Sequence, residues 1–233
     1  MRGCRGAVAS ILAFALLARA SAADVALSPP GTDGWKALAF PTIKRQTIYT
    51  VARIDDLDAV RAASDCAASA LYLPVEHIDL ARTPRLHWRW KIERGLQIAD
   101  ERAKTGDDFA ARVYVMFRFE AARASLWERM QHALGTRIYG DVIPGNTINY
   151  VWSSHQPKGA RWTSPYTASS KLMSLGDGPL PLWTEEIVDV AADYTAFFDH
   201  ELPPLLAVAV MTDSDNTCQR AVAEYADFRF LSR

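Results

Sequence analysis

Cysteine is scarce in this 233-residue chain: Cys4, Cys66 and Cys218 are the three. None stands in a Cys-x-x-Cys pair, which excludes a dithiol redox motif and a zinc-ligand pair of ordinary spacing. Long apolar runs are missing as well, since no stretch reaches the roughly 20 residues with which a helix crosses a bilayer. Positive charge is not in excess, with 26 Lys and Arg against 27 Asp and Glu. That argues against a nucleic-acid partner, because phosphate-backbone binding relies on a basic surface. The chain has no Gly-x-Ser-x-Gly elbow and no Gly-rich phosphate loop, and His77, His87, His132, His155 and His200 show no ligand spacing. Internal repeats and low-complexity tracts are absent. A hydrolase whose site is assembled only by folding survives these exclusions.

What is present begins with an address. Arg2 and Arg5 precede an apolar run of 11 residues, 7–17, and Ala20-Ser21-Ala22 follows as a small-residue cleavage signal. This is the form of a secretory signal peptide, residues 1–22, and the run is too short to span a membrane. Ala23 and Asp24, rather than a cysteine, follow the cleavage point, so no lipid anchor is expected. Loss of Arg2, Arg5 and Arg19 leaves 23 basic against 27 acidic residues, a net charge of −4. The expectation is an exported protein, periplasmic or secreted, with no transmembrane segment after cleavage. In an oxidising compartment Cys66 and Cys218 are either one disulfide or two buried free thiols. A bridge closing so long a loop would stabilise the fold by up to about 5 kcal/mol.

Residues 23–33, with Pro29-Pro30-Gly31, read as a flexible lead-in, and 34–233 as a single β-sandwich domain. Two runs organise that domain. In 86–93, Leu86, Trp88, Trp90 and Ile92 alternate with His87, Arg89, Lys91 and Glu93. In 111–119, Val113, Val115, Phe117 and Phe119 alternate with Arg112, Tyr114, Met116 and Arg118. Period-two alternation means strands with one apolar face. Further strands are expected at 35–40, 47–53, 147–152, 172–175, 183–190 and 223–231, and 60–64 with 69–73 as a hairpin. The continuous apolar run 205–211 reads as a central strand. Leu126, Trp127, Met130 and Leu134 recur at helical spacing within 121–134, an amphipathic insertion expected to pack on its own domain. A second short helix is expected at 193–200, before Pro203-Pro204. The loop 153–170, carrying His155, Trp162 and Tyr166, reads as ordered and partly exposed. About ten short strands separated by turns indicate a mainly β sandwich with one or two short helical insertions.

Four stretches carry a resemblance. They are Leu86-His87-Trp88-Arg89-Trp90-Lys91, the run from Gly106-Asp107-Asp108-Phe109 to Val115, Asn149-Tyr150-Val151-Trp152, and Thr212-Asp213-Ser214-Asp215-Asn216-Thr217. Through them the chain resembles domain-of-unknown-function family 3047, a group of exported bacterial proteins, over about residues 34–231. The resemblance implies export and, by analogy of fold, a jelly-roll sandwich like galactose-binding domains. It implies no activity, and fold alone does not license one.

If the two organising strands lie side by side, Arg89 and Lys91 come near Arg112 and Tyr114. Asn149 and Trp152 then join from a neighbouring strand and Asp108 from the loop before. Such a face suits sugar: cations and amides bond hydroxyls or carboxylates while an aromatic ring packs on C–H faces. The alternatives are a solvated outer face, or charges covered by the inserted helix and therefore paired. Asp107 and Asp108 are the nearest partners for Arg112 or Arg89. Asp213 and Asp215 alternate as oxygen ligands and are candidates for calcium, the one cofactor considered. Cys218 stands where the helix-loop-helix calcium motif needs glycine, so only a looser strand-to-strand site remains, against a turn capped by its own Asp and Asn side chains.

The functional expectation is a non-catalytic module that binds a glycan or other cell-envelope polymer. The alternatives are a polysaccharide hydrolase or lyase, using Asp108 or Asp213 as acid or base and Tyr114 as proton donor, and a structural partner of an envelope protein. N-terminal sequencing of the protein recovered from a bacterial periplasm or medium should begin at Ala23; an intact Met1 on the recovered protein would overturn the signal-peptide reading.

Overall fold

The structure, a computed structural model, describes residues 23–140 and 143–233. The expected signal peptide, 1–22, lies outside the described residues. In chain order the first strands are β1 (Val25–Ala26), β2 (Lys36–Ala39), β3 (Ile48–Ile54), β4 (Leu57–Asp65), β5 (Ser69–Pro74) and β6 (Arg85–Arg94). A single 3₁₀ turn (Lys104–Gly106) leads to β7 (Arg112–Phe117), helix α1 (Leu126–Tyr139), β8 (Thr147–Val151), β9 (Arg161–Thr163) and β10 (Ser170–Ser174). β11 (Trp183–Asp189), helix α2 (Val190–Phe197), β12 (Leu205–Met211) and β13 (Arg220–Leu231) complete the chain.

These strands form two sheets. One runs β11-β6-β13-β4-β3 with β1 paired to β13; the other has seven strands in the order β2-β5-β12-β7-β8-β10-β9. β4 to β7 alternate between the sheets, as do β10 to β13, and β4, β5 and β6 take antiparallel partners from the far end of the chain, β13, β12 and β11; β7 to β10 lie together in the seven-stranded sheet, where β7 pairs with β8. A two-stranded ribbon wrapped in this way is a jelly roll. The mainly β sandwich expected from the strand pattern, with its helical insertions, and the jelly roll that the resemblance implies are the fold found.

The alternating runs close the core. Leu86, Trp88, Trp90 and Ile92 of β6 share one buried cluster with Val113, Val115 and Phe117 of β7, and both tryptophans are fully buried. Trp88 meets Trp90 edge-on at 5.4 Å between centroids and lies near-parallel to Phe228 at 6.3 Å, geometries that suit the ring quadrupoles.

Four expectations are corrected. The organising strands are not neighbours: β6 and β7 sit in opposite sheets, because each needs the other's apolar face across the core and so turns its polar face away. The hairpin at 60–73 is instead a corner between sheets. Cys66, at φ 51°, turns the chain there, and Ala67 and Ala68 are small enough to be buried at the bend. The lead-in is tied down: Val25 and Ala26 pair with Phe230 and Arg229, and Asp24 accepts bonds from the Ser232 N–H and hydroxyl. In α1, which begins later than expected, Leu126, Trp127, Met130 and Leu134 are exposed rather than packed on the domain. α2 also begins earlier than expected, where Asp189 caps it by accepting the Ala192 N–H at 2.9 Å. Among the described residues no helix is long and apolar enough to cross a membrane.

Cys66 and Cys218 are joined in a disulfide spanning 152 residues, which decides between the bridge and two free thiols. It fastens the β4–β5 corner to the loop that follows β12. Urea unfolding of the oxidised protein against a Cys66→Ser/Cys218→Ser variant should show a loss of up to about 5 kcal/mol; equal stabilities would mean that the bridge contributes nothing.

Candidate functional site

The two outer faces of the sandwich differ in kind. On the six-stranded sheet, side chains that alternate with the core form a mesh of ion pairs. Lys91 Nζ lies 2.8 Å from Asp55 and 3.1 Å from Glu224, Arg89 is 3.7 Å from Asp227, and His87 Nε2 is 2.7 Å from Glu185. Asp55 raises the pKa of Lys91, and Lys91 in turn lowers that of Asp55. Arg89 and Lys91 therefore sit on the solvated, charge-paired face, separated by the whole core from Arg112, Tyr114 and Asn149. The expected grouping of these five is overturned, for the reason that separates β6 from β7.

The seven-stranded sheet turns a different surface outward. Cross-strand register aligns Lys36 (β2), Tyr72 (β5), Ala209 (β12), Tyr114 (β7), Asn149 (β8), Leu172 (β10) and Trp162 (β9) in one row across all seven strands. At a strand spacing of about 4.8 Å the row spans roughly 29 Å. Flanking rows put Ala70 and Met211 on one side, and Ala207, Met116 and Thr147 on the other. The buried alanines form a low floor beside Tyr72, Tyr114 and Trp162, which are only partly buried. Asn149 sits at the centre. Its Nδ2 donates to Ser170 Oγ at 2.8 Å, while its buried Oδ1 has no hydrogen-bond partner. Burial drives the Tyr114 phenol upward, so it stays neutral.

One end of this face is closed by a polar cluster. Arg112, 4% exposed, donates from Nε to Asp213 Oδ1 at 2.8 Å and from Nη2 to Asp213 Oδ2 and the Asp107 carbonyl. Its Nη1 lies 3.3 Å from Asp107 Oδ1, and its guanidinium lies over the Phe109 ring at 4.5 Å. Asp108 accepts from the N–H and Nδ2 of Asn216 and from the N–H and hydroxyl of Thr217. The turn before the cluster admits only glycine at 106, where a Cβ would come within 2.2 Å of the Asp100 carbonyl oxygen. Burial pushes the Asp213 carboxyl up to about 7 against the pull of Arg112, and the charges of Asp108 and Asp107 push the same way.

Asp108 joins the two expected metal candidates: one carboxylate oxygen each of Asp108, Asp213 and Asp215 lies within 4.8 Å of the others. Oxygen donors of this type suit calcium. The donors already on Asp108 and Asp213 compete for the same lone pairs. Trp152, by contrast, is buried in the main core and does not reach the face. The long loop is ordered as expected: Ser153 Oγ and the Ser154 N–H donate to Glu101, and Tyr166 donates to Asn216 at 2.8 Å. It presents Trp162 against Phe109, with Arg102 over the Trp162 ring at 5.6 Å.

Residues 33–229 match the family model described as "Protein of unknown function (DUF3047)". The chain belongs to this family. The resemblance read from the motifs is thus borne out, and in this DUF3047 protein those motifs supply β6, β7, β8 and the loop around Arg112. No curated protein matches the chain. Among solved structures it is similar to a family 30 carbohydrate-binding module of a Clostridium thermocellum cellulosomal cellulase, at 10% identity over 90% of this chain and 98% of that one, with a TM-score of 0.47. A family 11 carbohydrate-binding module from the same organism, in complex with a β-1,3-1,4-mixed-linked tetrasaccharide, shares 7% identity over 91% and 98%, at TM-score 0.46. The xyloglucanase domain of a type three effector from Sinorhizobium fredii shares 9% over 92% and 100%, at TM-score 0.43. Similarity at this level does not bear on what this chain binds.

The raised Asp213 carboxyl has a definite linkage sign. The folded state holds its proton more tightly than the unfolded chain, so the contribution is complete below the ordinary value of 3.8 and is lost as pH rises toward 7. Measured by urea unfolding from pH 4 to pH 7, wild type should lose up to about 4 kcal/mol relative to Asp213→Asn. Parallel profiles for the two proteins would refute this.

Proposed function

We propose that this DUF3047 protein is an exported, non-catalytic module, periplasmic or secreted, that binds a glycan or similar cell-envelope polymer along the row from Lys36 to Trp162. The observation that carries the reading is the row itself. It sets partly exposed aromatic rings at intervals beside a floor of alanines, with an unpartnered amide oxygen in the middle. Pyranose rings offer C–H faces to such rings and hydroxyls to such an amide, and an extended polymer can follow a straight track across strands.

Of the residues expected to bind, Tyr114 and Asn149 lie in the row, and Arg112 and Asp108 hold its rim. Catalysis draws less support. Hydrolysis of a glycosidic bond needs two carboxyls facing one another across a cleft, and the row carries none. Asp108 and Asp213, the expected acid or base, have their oxygens engaged by backbone, Asn216, Thr217 and Arg112.

Affinity gel electrophoresis against a polysaccharide panel tests the proposal. Tyr72→Ala, Tyr114→Ala and Trp162→Ala should each weaken retention of the folded protein roughly 30-fold, as for removal of a contact worth about 2 kcal/mol. Arg89→Ala, on the opposite face, should leave it unchanged. Retention by no polymer, or retention indifferent to all three aromatic substitutions, would reject the proposal.

A further inference from the structure

Charge and hydrogen-bond polarity along the row restrict the polymer further. Only Lys36 among its seven residues is charged, and it stands exposed on the edge strand β2. Arg112, in the flanking row, is buried with its donors directed to Asp213 and Asp107. Arg102, beside Trp162, donates to Gln156 at 2.8 Å. Among the described residues no cation is therefore left free at the centre to bind a carboxylate, sulfate or phosphate in the bidentate way such groups are recognised.

Two buried atoms of the row lack a partner among the described residues: the donor Trp162 Nε1 at its end and, at its centre, the acceptor Asn149 Oδ1. Asn149 is 2% exposed, and its bond to Ser170 turns Oδ1 away from the serine. A buried acceptor without a donor leaves its desolvation cost unrecovered. An O–H or N–H group of the ligand removes that cost, whereas an anionic oxygen at the same place would add repulsion. The carboxylates of Asp107, Asp108 and Asp213 at the rim act in the same direction.

We infer that the ligand is an uncharged polysaccharide that donates a hydroxyl or amide hydrogen to Asn149 Oδ1, and not a uronate, sulfated or phosphate-bearing polymer. This rests on the binding row proposed above. Asn149 then sets specificity at the centre of the track, with Ser170 as a positioning residue that orients its amide.

The test uses wild-type mature protein in gels containing hydroxyethyl cellulose, galactomannan or xylan on one side and polygalacturonate, alginate or dextran sulfate on the other. At least one neutral polymer should retard migration, with a dissociation constant that changes less than twofold between 20 mM and 200 mM salt, and no acidic polymer should do so at the higher salt. Asn149→Leu, which keeps the volume and removes the acceptor, should weaken retention more than tenfold. Retention by acidic polymers alone, or retention unaffected by Asn149→Leu in a folded variant, overturns this inference and leaves the binding row standing. Retention by no polymer of either class overturns both. Should Asn149→Leu not fold, the neutral-against-acidic comparison on wild type decides the matter alone.

Discussion

The buried guanidinium of Arg112 is the contact on which the outer face of the seven-stranded sheet depends. It opens β7, yet its donors reach Asp107 just before that strand and Asp213 just after β12. One side chain thus gathers two loops that are more than a hundred residues apart in sequence. Removal of either partner from such a pair leaves a buried charge uncompensated, which is far more costly than the pair itself is stabilising. The second loop is held again by Asp108 through Asn216 and Thr217, and a third time by the disulfide at Cys218. Three chemically different restraints therefore act on residues 212–218, and Tyr166, bonded to Asn216, carries that order into the long loop beyond.

Much of this architecture is visible in the alternation of single strands. The sequence runs 86–93 and 111–119 announce their own inner and outer faces, and both are as read up to Phe117, where β7 ends; Phe119 lies beyond the strand and stacks on His132 instead of joining the core. What a period of two cannot say is which strand lies beside which, because pairing is settled by residues distant in sequence. The consequence was largest for Arg89 and Lys91. Their polar face is real, but it belongs to the opposite sheet, where Asp55, Asp227 and Glu224 pair with them.

The row was partly legible for a related reason. Tyr114 and Asn149 stand out as polar residues alternating with core positions. Tyr72 and Ala209 do not, since each lies in a run that is apolar throughout: one face of β5 and β12 fills the core, and the other forms the floor of small and aromatic groups. Trp162 was noticeable only as an aromatic in a Ser- and Gly-rich loop. Nothing local in that loop states that three residues of it join a sheet edge in register with Leu172.

That short edge strand has an architectural consequence. β9 pairs with no strand but β10, and its Trp162 packs on the small Phe109, Val151 and Leu172 cluster, so the terminal ring of the row is mounted on a segment that contributes nothing to the main core cluster. The middle of the row is joined to the strands that build the main core, whereas its end is an attachment. Substitution or insertion within 153–170 would therefore change the length and chemistry of that end of the proposed track while leaving the main core cluster of the jelly roll in place.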